Sequence, residues 1–198
     1  FKGSAVPIDE LMKRSDVAMY HAKASGRSTL RFYDPALQGA VEARATLEAD
    51  MRRAIQDGDF VLHYQAQVNA LGVVEGVEAL LRWQHPTRGL LEPADFIPLA
   101  EETGLILTIG DWVLKKACTQ LALWAKQPAL AALSIAVNVS ARQFAQSALG
   151  VQIQAMLREH RLPDDGEITL QCFPRVLGYV FNPVSFWFCR NRGGELIA

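Results

Sequence analysis

No excess charge of either sign marks this chain: twenty basic residues stand against twenty-one acidic ones, a formal net charge of −1 at pH 7. No overall field recruits a nucleic-acid polymer or an anionic membrane, so any phosphate-bearing ligand has to be held by local groups. Cysteine is scarce. The three present, Cys118, Cys172 and Cys189, are odd in number, widely spaced and outside any zinc-ligand pattern. That argues against a disulfide framework and for reduced thiols in a cytoplasmic setting. Long apolar runs are missing too. The stretch VLGYVFNPVSFWFC falls short of the roughly 20 residues a membrane helix needs, and Asn182-Pro183 interrupts it. No signal peptide is visible, and no membrane span is predicted.

What is present is the balance of a globular protein, with half of the residues apolar and about a fifth charged. The 198 residues leave room for one sizeable domain or two small ones. The chain opens on Phe1 and closes at Ala198 in mid-pattern, and it is read as a segment of a longer protein.

Helical spacing of Ile8, Leu11, Met12, Ala18, Met19 and Ala22 predicts an amphipathic helix closed by Gly26, followed by a short strand at STLRFYD that Asp34-Pro35 breaks. Leu47, Met51 and Ile55 recur every four residues in a second helix between Pro35 and Gly58. FVLHYQ, with Phe60, Leu62 and Tyr64 inward, and VVEGVEALLRW predict two neighbouring strands. EPADFIPLAEETGL predicts a short helix stopped at Gly104. DWVLKKACTQLALWAKQ predicts a longer one with Trp112, Val113, Ala117, Leu121 and Trp124 inward; Trp83, Trp112 and Trp124 are expected in the core. The β-branched run LSIAVNVS predicts a buried parallel strand that turns at the Ser140/Gln143 capping box into a helix. VQIQAMLREHRL and EITLQ predict a further helix and strand. This alternation predicts right-handed βαβ crossovers and a parallel sheet, open or barrel-shaped.

Parallel topology would bring Glu78 and Asn138, each near a strand end, to one rim, where ligands bind in such sheets. Both are oxygen donors of the type magnesium takes. Gln65 could add a base contact and Arg82 a phosphate contact. Each has a plainer reading. Strand-end Asn and Gln are common turn and hydrogen-bond residues, and Glu78, flanked by apolar residues, needs either a metal or a partner such as Arg82. His21, His63, His85 and His160 lack metal spacing and are read as structural. Glu101 and Glu102 are placed on a solvated helix end, with the first able to face the rim.

FVLHYQAQV, VEGVEALLRWQHPTRGLLEPADFIPLAEETGLI and AVNVSARQF resemble the front part of an EAL domain, the bacterial cyclic-di-GMP phosphodiesterase family, over roughly Leu47 to Leu170. DVAMYHAKASGRSTLRFYD resembles the last helix and strand of a GGDEF diguanylate cyclase domain, without the cyclase signature loop. The fold implied is α/β: an incomplete (β/α)8 TIM-type barrel of the EAL family, preceded by a helix–strand remnant of a GGDEF domain. The resemblance implies two magnesium or manganese ions that activate a water to open one phosphodiester of cyclic-di-GMP, giving pGpG. It makes Glu78 and Asn138 metal ligands, puts Gln65 at the nucleotide site, and has Leu80 and Arg82 contact the ligand. It also implies a homodimer. Ala66 stands where the family usually has proline.

After Pro163 the family would continue with a glutamate-bearing strand, an Asp-Asp pair, a catalytic lysine and a further glutamate, and none of these follows. CFPRVLGYVFNPVSFWFCRNRGGELIA instead resembles an unrelated, uncharacterised bacterial family. The expected organisation is a GGDEF remnant over residues 1–34, the start of a linker helix over 35–46, the N-terminal part of an EAL domain over 47–170 and a foreign segment over 171–198. A recombined gene, a frameshift or an assembly error would each produce such a join near residues 170–172. The expected function is a cyclic-di-GMP phosphodiesterase by family, truncated and with hydrolysis far below that of a complete domain. The alternatives are a non-catalytic cyclic-di-GMP-binding regulatory module and a non-functional fusion fragment.

Overall fold

A computed structural model describes residues 7–24, 30, 32–162, 168–172 and 185–189 of the chain. It divides into two compact units, Phe1–Met51 and Arg52–Ala198.

In the first unit, α1 spans Ile8–Ala24, with Asp9 and Glu10 in its first turn, where a helix N-terminus favours negative charge. Arg14 Nε donates to Glu10 Oε1 at 2.8 Å one turn away, and its guanidinium lies 5.0 Å from the centre of the Tyr33 ring. The helix carries the expected apolar spacing, yet Ile8, Met12 and Met19 are exposed. The strand expected at STLRFYD does not form among the described residues: Leu30 and Phe32 to Asp34 belong to no ladder. A strand needs a partner for its backbone groups, and no strand of the described residues pairs with this stretch. Pro35 then opens α2, Pro35–Asp57, inside which the boundary between the units falls.

The second unit is an α/β fold. Its strands β1 (Phe60–Val68), β2 (Val74–His85) and β3 (Gly89–Leu91) are successive antiparallel neighbours, and β4 (Ser134–Val137) pairs parallel with β2. The expected neighbours β1 and β2 are therefore a hairpin, and the parallel pairing lies on the other edge of β2. Between β3 and β4 run α3 (Pro93–Thr103) and α4 (Leu105–Trp124), and β4 is followed by α5 (Ala141–Phe144) and α6 (Leu149–Glu159). Gly104, at φ 80°, closes α3 and opens α4. A left-handed residue at that corner carries a Cβ penalty that glycine escapes. Helix α4 begins six residues before the expected Asp111 and runs through Gly110.

One face of the sheet packs on the helices. Phe60, Trp83 and Phe96 are buried with ring centres 5.6–5.7 Å apart, spacing at which tilted and edge-on aromatic pairs attract. Ile109, Val113, Leu114, Ala117 and Leu121 of α4 are buried, as are Ile153, Met156 and Leu157 of α6. Trp83 is core as expected, whereas Trp112 and Trp124 are half-buried. Trp112 lies under Lys116, and Trp124 meets Tyr64 edge-on at 5.4 Å. Both indoles sit at borders where one side of the ring stays wet. Strands β2 and β4 approach closely at Gly76, where an added Cβ would overlap Ser134 Oγ across the ladder.

The expected strand at EITLQ forms as β5 (Ile168–Cys172), but its partner is β6 (Ser185–Cys189), in a separate antiparallel two-stranded sheet. It does not extend the parallel sheet in the described residues. Most of the segment 171–198 lies outside the described residues, as do residues 163–167.

Candidate functional site at the end of the parallel ladder

Strand register decides which side chains can meet. Gln65 of β1 stands directly opposite Glu78 of β2, and Glu78 is level with Ala136 of β4. Side chains alternate faces along a strand, so Glu78, Leu80 and Arg82 share one face with Gln65, and Asn138, two residues past Ala136, follows on the same side. The β2–β4 ladder ends at Ala79 and Val137. Glu78 therefore sits at the carboxyl end of the parallel pairing although it is near the middle of β2, whose second half runs on as the partner of β1 and β3.

At this rim Asn138 Nδ2 donates to Glu78 Oε1 at 2.8 Å. Glu78 is half-buried and Asn138 exposed. The partner the carboxylate needed is thus the asparagine, not Arg82. Four strand residues separate Glu78 and Arg82 by about 13 Å of backbone, and Arg82 Nη1 donates to the Leu81 carbonyl at 3.0 Å instead. Gln65 is exposed, and Leu80 and Arg82 are half-buried.

Glu78, Leu80 and Asn138 line a cleft of about 590 Å³, together with Pro93, Ile97 and Glu101 from α3, Ile109 and Gly110 from α4, and Ser140 and Gln143. The structure thus brings Glu78, Asn138 and Leu80 to one cavity and leaves Gln65 and Arg82 on the same sheet face outside its lining. Glu101 faces the rim, and Glu102 is exposed. An apolar wall with a few polar groups at one end is the usual make-up of a small-molecule site.

Gln143 is the residue whose place at the site sequence reasoning missed, having been read only as half of a capping box. It is 3% exposed. Its Oε1 accepts from Ser140 N and Ser140 Oγ, both at 3.1 Å, while Ser140 Oγ accepts from Gln143 N at 3.2 Å. The signal that could have found it is Gly110: a glycine inside a helical pattern often marks a close approach. A Cβ on Gly110 would overlap the Gln143 amide.

Two of the histidines are held by local hydrogen bonds, and His63 is exposed. His85 is buried, its Nδ1 accepting from Thr87 N at 3.2 Å and Arg88 N at 3.3 Å. His160 Nε2 pairs with Thr119 Oγ1 at 3.0 Å. The side chain of His21 lies outside the described residues. Among the described residues no group of three or more His, Cys, Asp or Glu is placed to hold a metal ion, and no helix is long and apolar enough to cross a membrane.

The family described as "EAL domain" matches residues 48–176. The chain is similar to the bifunctional diguanylate cyclase/cyclic di-GMP phosphodiesterase MucR of Pseudomonas aeruginosa, 44% identical over 163 residues, which is 82% of this chain and 24% of that protein. It is 37% identical over 165 residues to the cyclic di-GMP phosphodiesterase PdeR of Escherichia coli, covering 82% of this chain and 25% of that one. The chain thus spans about a quarter of the length of these curated relatives. Among solved structures, the MucR phosphodiesterase in complex with c-di-GMP superposes with a TM-score of 0.57 at 49% identity, covering 59% of this chain and 47% of that one.

Proposed function

This chain belongs to the EAL-domain family, and we propose on that premise that it carries the nucleotide-facing front of a cyclic-di-GMP phosphodiesterase. Glu78 and Asn138 face the reacting phosphodiester in this reading, while Gln65, Leu80 and Arg82 face the nucleotide. The observation that carries it is the 2.8 Å pairing of Glu78 with Asn138 at the end of the parallel ladder. The rim where α/β sheets bind ligands here holds two oxygen donors against an apolar cleft. The names of MucR and PdeR and the c-di-GMP in the MucR structure support the choice of substrate.

EAL phosphodiesterases generally depend on a divalent metal. Magnesium or manganese would take the carboxylate of Glu78 and the amide oxygen of Asn138, and would supply charge neutralisation and an activated water. Two donors do not complete such a site, and the described residues add no third to a cluster. The donors of the described residues thus do not fit a resident ion. What the chain's own groups do is bind: Arg82 offers a guanidinium for a phosphate, Gln65 an amide for a base edge, and the α3–α4 wall excludes water.

Hydrolysis by this chain therefore falls far below that of a complete domain. In the same reading residues 1–34 are a GGDEF remnant, residues 171–198 are a foreign segment joined near 170–172, and the protein works in the cytoplasm as a homodimer. Chromatographic assay of cyclic-di-GMP turnover with magnesium or manganese tests the activity. No pGpG above background is expected; metal-dependent pGpG that disappears in Glu78→Ala would overturn the reading of an inactive front half.

A further inference from the structure

We propose that Gln143 and Gly110 form a keyed contact that positions Asn138 against Glu78, which makes both of them positioning residues for the rim. The inference rests on the functional reading only for its consequence, ligand binding; the positioning itself is a property of the empty chain.

Three residues, Asn138, Val139 and Ser140, join β4 to α5. On the β4 side the turn is anchored by the ladder that ends at Val137. On the other side stands a helix of four residues, Ala141–Phe144, too short to hold a position through its own backbone bonds. The anchor there is Gln143, buried to 3% exposure, whose side chain accepts from both Ser140 N and Ser140 Oγ at 3.1 Å. Its amide occupies the space that any side chain at residue 110 would fill. Glycine inside a helix costs about 1 kcal/mol relative to alanine, and what Gly110 admits for that cost is this amide. Asn138 is exposed and is held on Glu78 by a single side-chain hydrogen bond. A lone exposed bond barely offsets the entropy of ordering the side chain, so its geometry depends on a turn fixed at both ends.

The test compares the full chain with Gly110→Ala, Gln143→Ala and the double variant. Gly110→Ala alone lowers the unfolding midpoint; adding Gln143→Ala recovers most of that loss, because the new methyl enters the space the amide leaves. In the folded double variant the turn has lost the two hydrogen bonds from Ser140 to the Gln143 amide oxygen and keeps only the backbone cap of Gln143 N on Ser140 Oγ. The Asn138 side-chain amide protons, followed by nitrogen-edited NMR without ligand, then exchange with water about tenfold faster than in the parent, the factor that corresponds to about 1.4 kcal/mol. Additive losses of stability would show that the two residues are not keyed. Recovered stability with unchanged Asn138 exchange would show that the contact is packing alone. A chain that passes this test and gives no response to cyclic-di-GMP would sink the functional reading while leaving the positioning role intact.

Discussion

Asn138 Nδ2 lies 2.8 Å from Glu78 Oε1 although sixty residues of chain separate the two, and the donor–acceptor pairing is what keeps a half-buried carboxylate satisfied. Asn138→Asp removes the donor and sets a second carboxylate against the first. Like charges at that range repel, so the unfolding free energy in the presence of a chelator falls by about 1 kcal/mol. Added manganese raises it again by bridging the two carboxylates. Denaturant unfolding with and without manganese reads both effects.

At the β2–β4 ladder, Gly76→Ala forces a methyl into Ser134 Oγ. Overpacking of this kind typically costs about 1–3 kcal/mol. Removing the hydroxyl in Gly76→Ala with Ser134→Ala leaves the Ser134 Cβ at an ordinary 3.5 Å but the Ser134 carbonyl oxygen at a tight 3.1 Å, so part of the loss is recovered and part remains. Thermal unfolding of the single and double variants measures the difference.

Trp83 is fully buried among Phe60 and Phe96, and its Nε1 has no hydrogen-bond partner among the described residues. Trp83→Ala leaves a large cavity and costs about 3–5 kcal/mol. Trp83→Phe keeps a ring in place and forfeits no hydrogen bond, so it costs clearly less. Urea titrations of the two variants should separate them; equal losses would argue against the packing described.

Burial, and secondarily the negative charge of Glu159, pushes the Cys118 thiol from its ordinary value of 9.0 up to about 11. A raised folded value means that the folded chain keeps its proton longer than the unfolded chain. The stability this contributes is fully present below pH 9 and is lost as pH rises toward about 11. Cys118, 7% exposed, should also react with a thiol reagent at pH 8 far more slowly than in the denatured chain. A rate equal to that of the denatured chain would contradict its placement in the core.

Much of this fold was legible because its signals are local. Alternation marked β1 and β2, the β-branched run marked β4, and the Ser140/Gln143 pair marked the turn into α5. The meeting of Glu78 and Asn138 at one rim followed from topology, since the β2–β4 pairing is parallel; their hydrogen bond did not. What was missed depends on partners distant in the chain. The helix expected from Asp111 begins at Leu105, because the glycine at 110 is accommodated inside α4 by the Gln143 amide packed on it. The STLRFYD stretch alternates like a strand, yet alternation cannot supply a neighbour. Three-residue β3 is too short to leave a period. Trp112 and Trp124 read as core by residue type, but α4 presents them at its border. Arg82 looked like the natural partner of Glu78, and strand geometry places it too far along the ladder.

Calorimetric titration of the chain with cyclic-di-GMP is the most direct test of the central claim that the Glu78–Asn138 rim is a nucleotide site. The account predicts measurable binding that weakens by about 10- to 100-fold in Arg82→Ala, the range expected for one hydrogen bond to a charged group. No heat from a parent chain shown to be folded, or binding indifferent to Arg82→Ala, would contradict it.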